Sequence, residues 1–330
     1  MNRRELMLLL GGMAVARPLA GQAQQPERVR RIGVLISLPE SDPAEPARLT
    51  AFVQALERLG WVEGKNIRID YRFAASDPTL FKTYAAELVG LAPDVILATS
   101  SSAVVALRQL TRTIPIVFSP VADPVGQGFV QSLARPGGNL TGFSIYDAEL
   151  MGKWVQLLKE VAPSVTRVAV IFNPDTAPYA PMFNRAIEAA APSFGITVTL
   201  APVHDDAGIE AAIATHAREP GGGLINFPES FSDTHKDVII AAALRHGLPQ
   251  IGQPNLTRAG GLMSYYLHIG DEYYAQAAPY IDRILRGASP ADLPVQQPVK
   301  YSLIINLKTA KALGLTVPPS MLDLAAEVIE

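Results

Sequence analysis

The chain has 330 residues, 48% of them hydrophobic and 18% charged, a balance that suits a globular protein and excludes a disordered one. Its formal net charge is −3, and residues 1–23 hold Arg3, Arg4 and Arg17 against Glu5, so the remainder from Gln24 carries −5. An acidic protein of this kind is a poor binder of nucleic acid or anionic membrane.

The first residues read as an export signal. Met1-Asn2-Arg3-Arg4 is basic, Leu6 to Val15 is apolar, and Gly21-Gln22-Ala23 is a small-residue cleavage site. The paired arginines suggest the twin-arginine route. Arg17 interrupts the apolar run before the roughly 20 residues needed to span a bilayer. The chain has no cysteine, which excludes disulfides and removes the acceptor for a lipid anchor. The expectation is cleavage near Ala23 and a protein free in a periplasm, not membrane-anchored, with a mature part long enough for two domains.

The mature chain opens with Arg31 to Ser37, a continuous apolar run of the kind buried on both faces of a parallel sheet. Leu49, Phe52, Val53, Leu56 and Leu59 then share one helix face, stopped by Gly60. Strands are predicted at Asn66–Phe73, Asp94–Ala98 and Ile114–Phe118, with helices at Leu80–Leu91 and Ser102–Leu110 between them. A second series follows. Helices are predicted at Leu150–Val161, Pro181–Phe194, Ala207–Ala217 and Asp233–His246. Strands are predicted at Arg167–Phe172, Ile196–Ala201, Gly223–Phe227 and Pro249–Ile251. Repeated β-α units imply an α/β fold of two doubly wound parallel-sheet lobes.

Three turn-rich stretches read as crossings between the lobes: Arg135 to Ser144, Gly260 to Tyr265, and Pro290 to Pro298. A single helix is predicted at Asp271–Leu285. Three crossings make a hinge. The expected division is 24–145 with 258–292 for lobe I, and 146–257 with 293–330 for lobe II.

Several segments then resemble one family. They are Leu59-Gly-Trp-Val-Glu-Gly-Lys-Asn-Ile-Arg-Ile-Asp-Tyr-Arg-Phe73, Val121 to Gly126 with Ala134 to Gly142, Ile171-Phe-Asn-Pro174, and the tail Ile304 to Pro319. The family is that of ABC-importer substrate-binding proteins related to tryptophan- and tyrosine-binding members, with the type I periplasmic binding protein fold. The resemblance covers nearly the whole chain. It implies two lobes, a hinge, a small ligand in the cleft, and a membrane permease with its ATPase as partners.

Ligands of open parallel sheets bind beyond the carboxyl ends of the strands, so the loops there hold the candidates. Thr99, Ser100 and Ser101 follow a strand and start a helix; they suit a carboxylate, or simply cap the helix. Asp123 holds a ligand ammonium or forms an Asp-Pro turn. Asn173 and Thr176, Asn226 and Glu229, and Gln253 sit at strand ends of the second lobe. Tyr146 and Tyr179 offer ring faces. Of Tyr265 and Tyr266, alternation lets one face the ligand, and Tyr265 is the choice here. Ser37 after the first strand completes the set. Tyr273, Tyr274 and Tyr280 read as packing, and Arg258 as solvated surface.

Other chemistries find no support. His204, His216, His235, His246 and His268 show no metal-ligand spacing. There is no phosphate loop and no Gly-x-Ser-x-Gly elbow. No cofactor and no metal are expected. The function expected is capture of a small amino-acid-like solute, aromatic ones included, by a monomeric periplasmic binding protein. Two rivals stand beside it: an exported enzyme of the same fold using Asp123 or Glu229 as acid or base, and a ligand-sensing subunit for a membrane receptor.

Overall fold

The computed structural model describes residues 28–146, 148–267, 273–297 and 300–330. The expected export signal at 1–23 lies outside them.

In the first lobe β1 (Arg30–Ile36), α1 (Glu45–Arg58), β2 (Ile67–Phe73), α2 (Pro78–Gly90), β3 (Val95–Ala98), α3 (Ser101–Leu110), β4 (Ile116–Val121) and β5 (Leu140–Ser144) alternate along the chain. The strands form a parallel sheet in the order β2-β1-β3-β4-β5. Period-two alternation splits β1 between two cores. Ile32, Val34 and Ile36 pack with Phe52 and Leu56 of α1, while Leu35 packs with Phe81 and Leu88 of α2. α2 starts where the Asp77 carboxylate accepts from the N–H groups of Thr79 and Leu80, at 2.6 and 3.2 Å, with Pro78 in the first turn. Gly142 has φ +148°, and a Cβ there would lie 2.0 Å from the Phe118 carbonyl oxygen, so only glycine lets β5 lie this close to β4.

The second lobe contains α4 (Glu149–Val161), β6 (Arg167–Phe172), α5 (Ala180–Ala190), β7 (Thr197–Pro202), α6 (Asp206–His216), β8 (Gly222–Asn226), α7 (Ser230–Thr234), α8 (Lys236–Arg245), β9 (Gln250–Gly252), α9 (Pro254–Arg258) and β10 (Met263–Leu267). The chain then returns to lobe I for α10 (Ala278–Leu285), whose Ile281 and Leu285 join the α1 core. It ends in lobe II with β11 (Tyr301–Asn306), α11 (Leu307–Ala312), α12 (Pro319–Leu324) and β12 (Ala325–Ile329). The second sheet runs β12-β11-β10-β9-β8-β6-β7. Val168 and Val170 face Trp154, Leu158 and Phe183, whereas Ala169 and Ile171 face Ile209, Ile213 and Ile239.

The two α/β lobes expected from sequence are present, and the chain passes between them three times, but not at all of the expected stretches. The second sheet is mixed, because β10 and β11 pair antiparallel. Gly260 to Tyr265 is not a crossing: Gly261 donates to Leu256 O at 2.8 Å in a tight turn that feeds β10, and β10 pairs with β9 and β11. Residues 258–267 therefore belong to the second lobe, not to lobe I. Leu293 and Val295 pack in first-lobe cores, so the last return falls after them and not at 293. Glycines and prolines mark a change of direction, and a turn within a lobe carries the same signal as a crossing. The first crossing begins after Ser144, since Leu140–Ser144 is itself a strand. Asp233–His246 is two helices broken at His235. The described part of the helix expected at 271–285 is a short 3-10 turn, Ala275–Ala277, followed by α10.

The segment that enters the third crossing runs beside the end of β5, where the first crossing starts. Gln296 donates to Gly142 O at 2.9 Å and accepts from Ser144 N at 2.8 Å.

Candidate functional site

The carboxyl ends of both sheets' parallel strands converge on an interlobe cleft of about 160 Å³. Its first-lobe wall is Ser37, Leu38, Arg48, Thr99, Ser100, Ser101, Pro120, Ala122 and Tyr273. Ile145 and Tyr146 come from the first crossing. The second-lobe wall is Thr176, Tyr179, Pro228, Glu229, Ser230, Asp233, Gln253, Pro254, Asn255, Arg258 and Tyr266.

Ser37, Thr99, Ser100, Ser101, Tyr146, Thr176, Tyr179, Glu229 and Gln253 thus meet in one cleft, as the strand-end rule predicts. Four other candidates do not line it. Asp123 has φ +32°, and its Oδ1 accepts from Gly126 N at 2.8 Å; it makes the Asp-Pro turn. Asn173 is buried, with Oδ1 accepting from Asp175 N at 2.9 Å. Asn226 is fully buried and donates to Gln250 Oε1 at 2.6 Å. Tyr265 points away from the cleft, its ring stacked on Tyr301 with centroids 5.3 Å apart, so Tyr266 takes the wall position.

At the first-lobe wall, α3 starts where Ser100 Oγ accepts from Ala103 N at 3.1 Å. Ser101 Oγ accepts from Gln127 Nε2 at 3.0 Å. Thr99 Oγ1 accepts from Ser37 N at 2.9 Å, which ties the ends of β1 and β3 together. Nearby, Arg48 donates to Glu45 Oε1 at 2.7 Å, and its guanidinium lies 5.1 Å from the centre of the Tyr273 ring. Glu45 also accepts from Tyr274 Oη at 3.2 and 3.3 Å, and burial raises its carboxyl above the ordinary range.

Two acids mark the second-lobe wall, and they differ. Glu229 is saturated: Oε1 accepts from Asn173 N at 2.7 Å and Oε2 from Thr176 Oγ1 at 2.6 Å. Burial nevertheless pushes its carboxyl up to about 8. Asp233 is open. Its Oδ2 accepts from Asn255 Nδ2 at 3.3 Å, but its buried Oδ1 has no hydrogen-bond partner among the described residues. Burial lifts Asp233 to about 6, with the Arg48 charge the strongest opposing influence.

Sequence reasoning missed Asp233, Arg48 and Asn255, and read Tyr273 and Arg258 as elsewhere. Asp233 was detectable as the residue one helical turn beyond Glu229. Arg48 carries no strand-end signal; it reaches the cleft from the first turn of α1.

The lobes touch directly. Ser102 Oγ of α3 donates to Thr176 O at 2.6 Å, and Ser76 and Thr234 hydroxyls lie 3.4 Å apart. A Cβ on Gly126 would approach Met182 Sδ to 2.8 Å. Among the described residues no histidine lines the cleft. Among the described residues there is no group of three or more metal-ligating side chains, and no helix is long and apolar enough to cross a membrane.

Comparison with known proteins agrees with the two-lobed fold. A tyrosine-binding protein of Clostridioides difficile is 34% identical over 149 residues, which are 44% of this chain and 41% of that protein, so the match spans less than half of the relative's length. A Streptococcus pneumoniae domain solved in complex with L-Trp is 24% identical, with TM-score 0.80, covering 91% of this chain and 99% of that one. A ligand-free, open substrate-binding protein with adhesive properties from Clostridium difficile is 26% identical, with TM-score 0.62, over 91% of this chain and 99% of that one. The family model for ABC transporter substrate binding proteins matches residues 32–329. The chain therefore belongs to the ABC transporter substrate binding protein family, whose members bind solutes and are not enzymes.

Proposed function

We propose that this protein captures an amino acid or close analogue in the interlobe cleft and hands it to a membrane permease driven by an ATPase, working as a monomer in the periplasm after export. The observation that carries this reading is Asp233. A buried carboxylate oxygen without a donor is costly, and a ligand ammonium placed there would supply the missing hydrogen bond. Across the cleft, the start of α3 at Ser100 and Ser101 offers hydroxyls and the positive end of a ten-residue helix, which suit a carboxylate. Tyr146, Tyr179, Tyr266 and Tyr273 add ring surface for an apolar or aromatic side chain. The name of the tyrosine-binding relative points the same way.

Ligand contacts made to both lobes at once favour closure over the open form. The direct Ser102–Thr176 contact fits lobes that are drawn together.

The test is native mass spectrometry of protein purified without denaturation and then offered a panel of amino acids that includes L-tyrosine. A compound retained or acquired and released intact is the expected result, with Asp233→Asn weakening its binding at least about tenfold, as loss of a buried charge-assisted contact does. A chemically altered compound, or no binding from the panel, would overturn the reading.

A further inference from the structure

Glu229 lines the cleft, yet both its oxygens are engaged inside the second lobe, so it is not free to hold a ligand. Its partners show what it does instead. Through Oε1 it holds the Asn173 backbone, and through Oε2 the Thr176 hydroxyl, both in the loop between β6 and α5. Its own carbonyl accepts from Gln253 Nε2 at 2.8 Å and from Asp233 N at 3.3 Å, which ties in the loop after β9 and the first turn of α7. Three strand-end loops of one lobe therefore meet at this residue. The far end of the chain of contacts lies in the other lobe, where Ser102 Oγ donates to the carbonyl of Thr176, the residue whose side chain Glu229 holds.

We propose that Glu229 is a positioning residue that couples the cleft to lobe closure. It presents the Thr176 carbonyl to Ser102 while keeping α7, with Asp233, in register with the same loop. A ligand drawn to Asp233 and an interlobe bond at Thr176 then act on one rigid unit. Buried acids with saturated oxygens serve such a role well, because releasing either donor leaves a buried polar group unpaired.

The inference rests on the two-lobe binding reading above, but its test needs no ligand, so the two can fail separately. The protein has no cysteine of its own. Ser76 and Thr234 lie on opposite lobes with hydroxyls 3.4 Å apart, and neither lines the cleft. In a Ser76→Cys/Thr234→Cys background, the rate of disulfide formation under diamide reports how often the lobes close.

Glu229→Met, Thr176→Val and Ser102→Ala should each slow crosslinking by about five- to tenfold, the effect of losing one buried hydrogen bond. Glu229→Met combined with Ser102→Ala should be no slower than either alone, since both break one chain of contacts. Glu229→Gln and Thr176→Ser keep hydrogen-bonding groups in place and should crosslink near the parent rate; a merely structural requirement for the charge would not be rescued this way. If Glu229→Met does not fold, Thr176→Val carries the same test. A parent rate in Thr176→Val and Glu229→Met, additive slowing in the double variant, or no crosslinking in the parent background would each overturn the proposal.

Discussion

Arg48 on the first lobe is the charge that most stabilises the Asp233 carboxylate on the second. The two residues line one cleft but belong to helices of different lobes, so their relationship exists only when the lobes come together. Burial works in the opposite direction and dominates, which leaves Asp233 titrating near 6 instead of its ordinary 3.8.

That balance predicts a pH dependence of binding. The ionised form of Asp233 accepts from a ligand ammonium, and the protonated form gives up much of that attraction. Affinity for an amine-bearing ligand should therefore be nearly flat above pH 7 and fall as pH drops through about 6, approaching tenfold per pH unit well below it. Calorimetric titrations across this range would check it. An affinity unchanged between pH 7 and about 5 would count against Asp233 as the amine site.

Asp233 and Asp123 make a contrasting pair. Asp233→Asn should weaken amine-bearing ligands at least about tenfold. Asp123→Asn should leave affinity within about twofold, because Asp123 serves its own turn through Gly126 N and does not line the cleft. Equilibrium binding of both variants to the same compound separates the two roles.

Glu229 predicts a pH dependence of stability. Its folded value of about 8 lies above the ordinary 4.5. Between those values the unfolded chain has released a proton that the folded protein keeps, so stability falls as pH rises through this window. Glu229→Gln has no proton to keep. Its melting temperature should therefore gain on the parent's as pH is raised from about 5 to 8, in paired thermal scans.

Two positions test the frame itself. Trp154 is fully buried in the second-lobe core and donates from Nε1 to Tyr265 O at 2.5 Å. Trp154→Ala should cost about 3–5 kcal/mol in denaturant unfolding. Gly142→Ala combines a left-handed backbone with a Cβ 2.0 Å from a carbonyl oxygen. It should sharply reduce the yield of folded protein, measured by circular dichroism and soluble expression.

Much of this molecule was legible in the amino-acid order. The continuous apolar run through Ile32, Val34, Leu35 and Ile36 foretold a strand buried on both faces, because successive side chains point to opposite faces of the sheet. Ser100 ahead of Val104 and Leu107 foretold a capped helix at a strand end, and with it the first-lobe wall. These are local properties, settled within a turn or two of chain. Tertiary structure decided the rest. Asp123 and Asp233 are both acids near strand ends, yet one closes a turn and the other opens onto the cleft. Tyr265 and Tyr266 are neighbours, and only the pairing of β10 with β11 decides which ring faces the ligand wall. Arg48 enters from a helix that carries no strand-end signal. A side chain's type is written in the chain, but the direction it points, and which lobe it meets, follow from sheet order, register and the docking of two lobes, which no local pattern encodes.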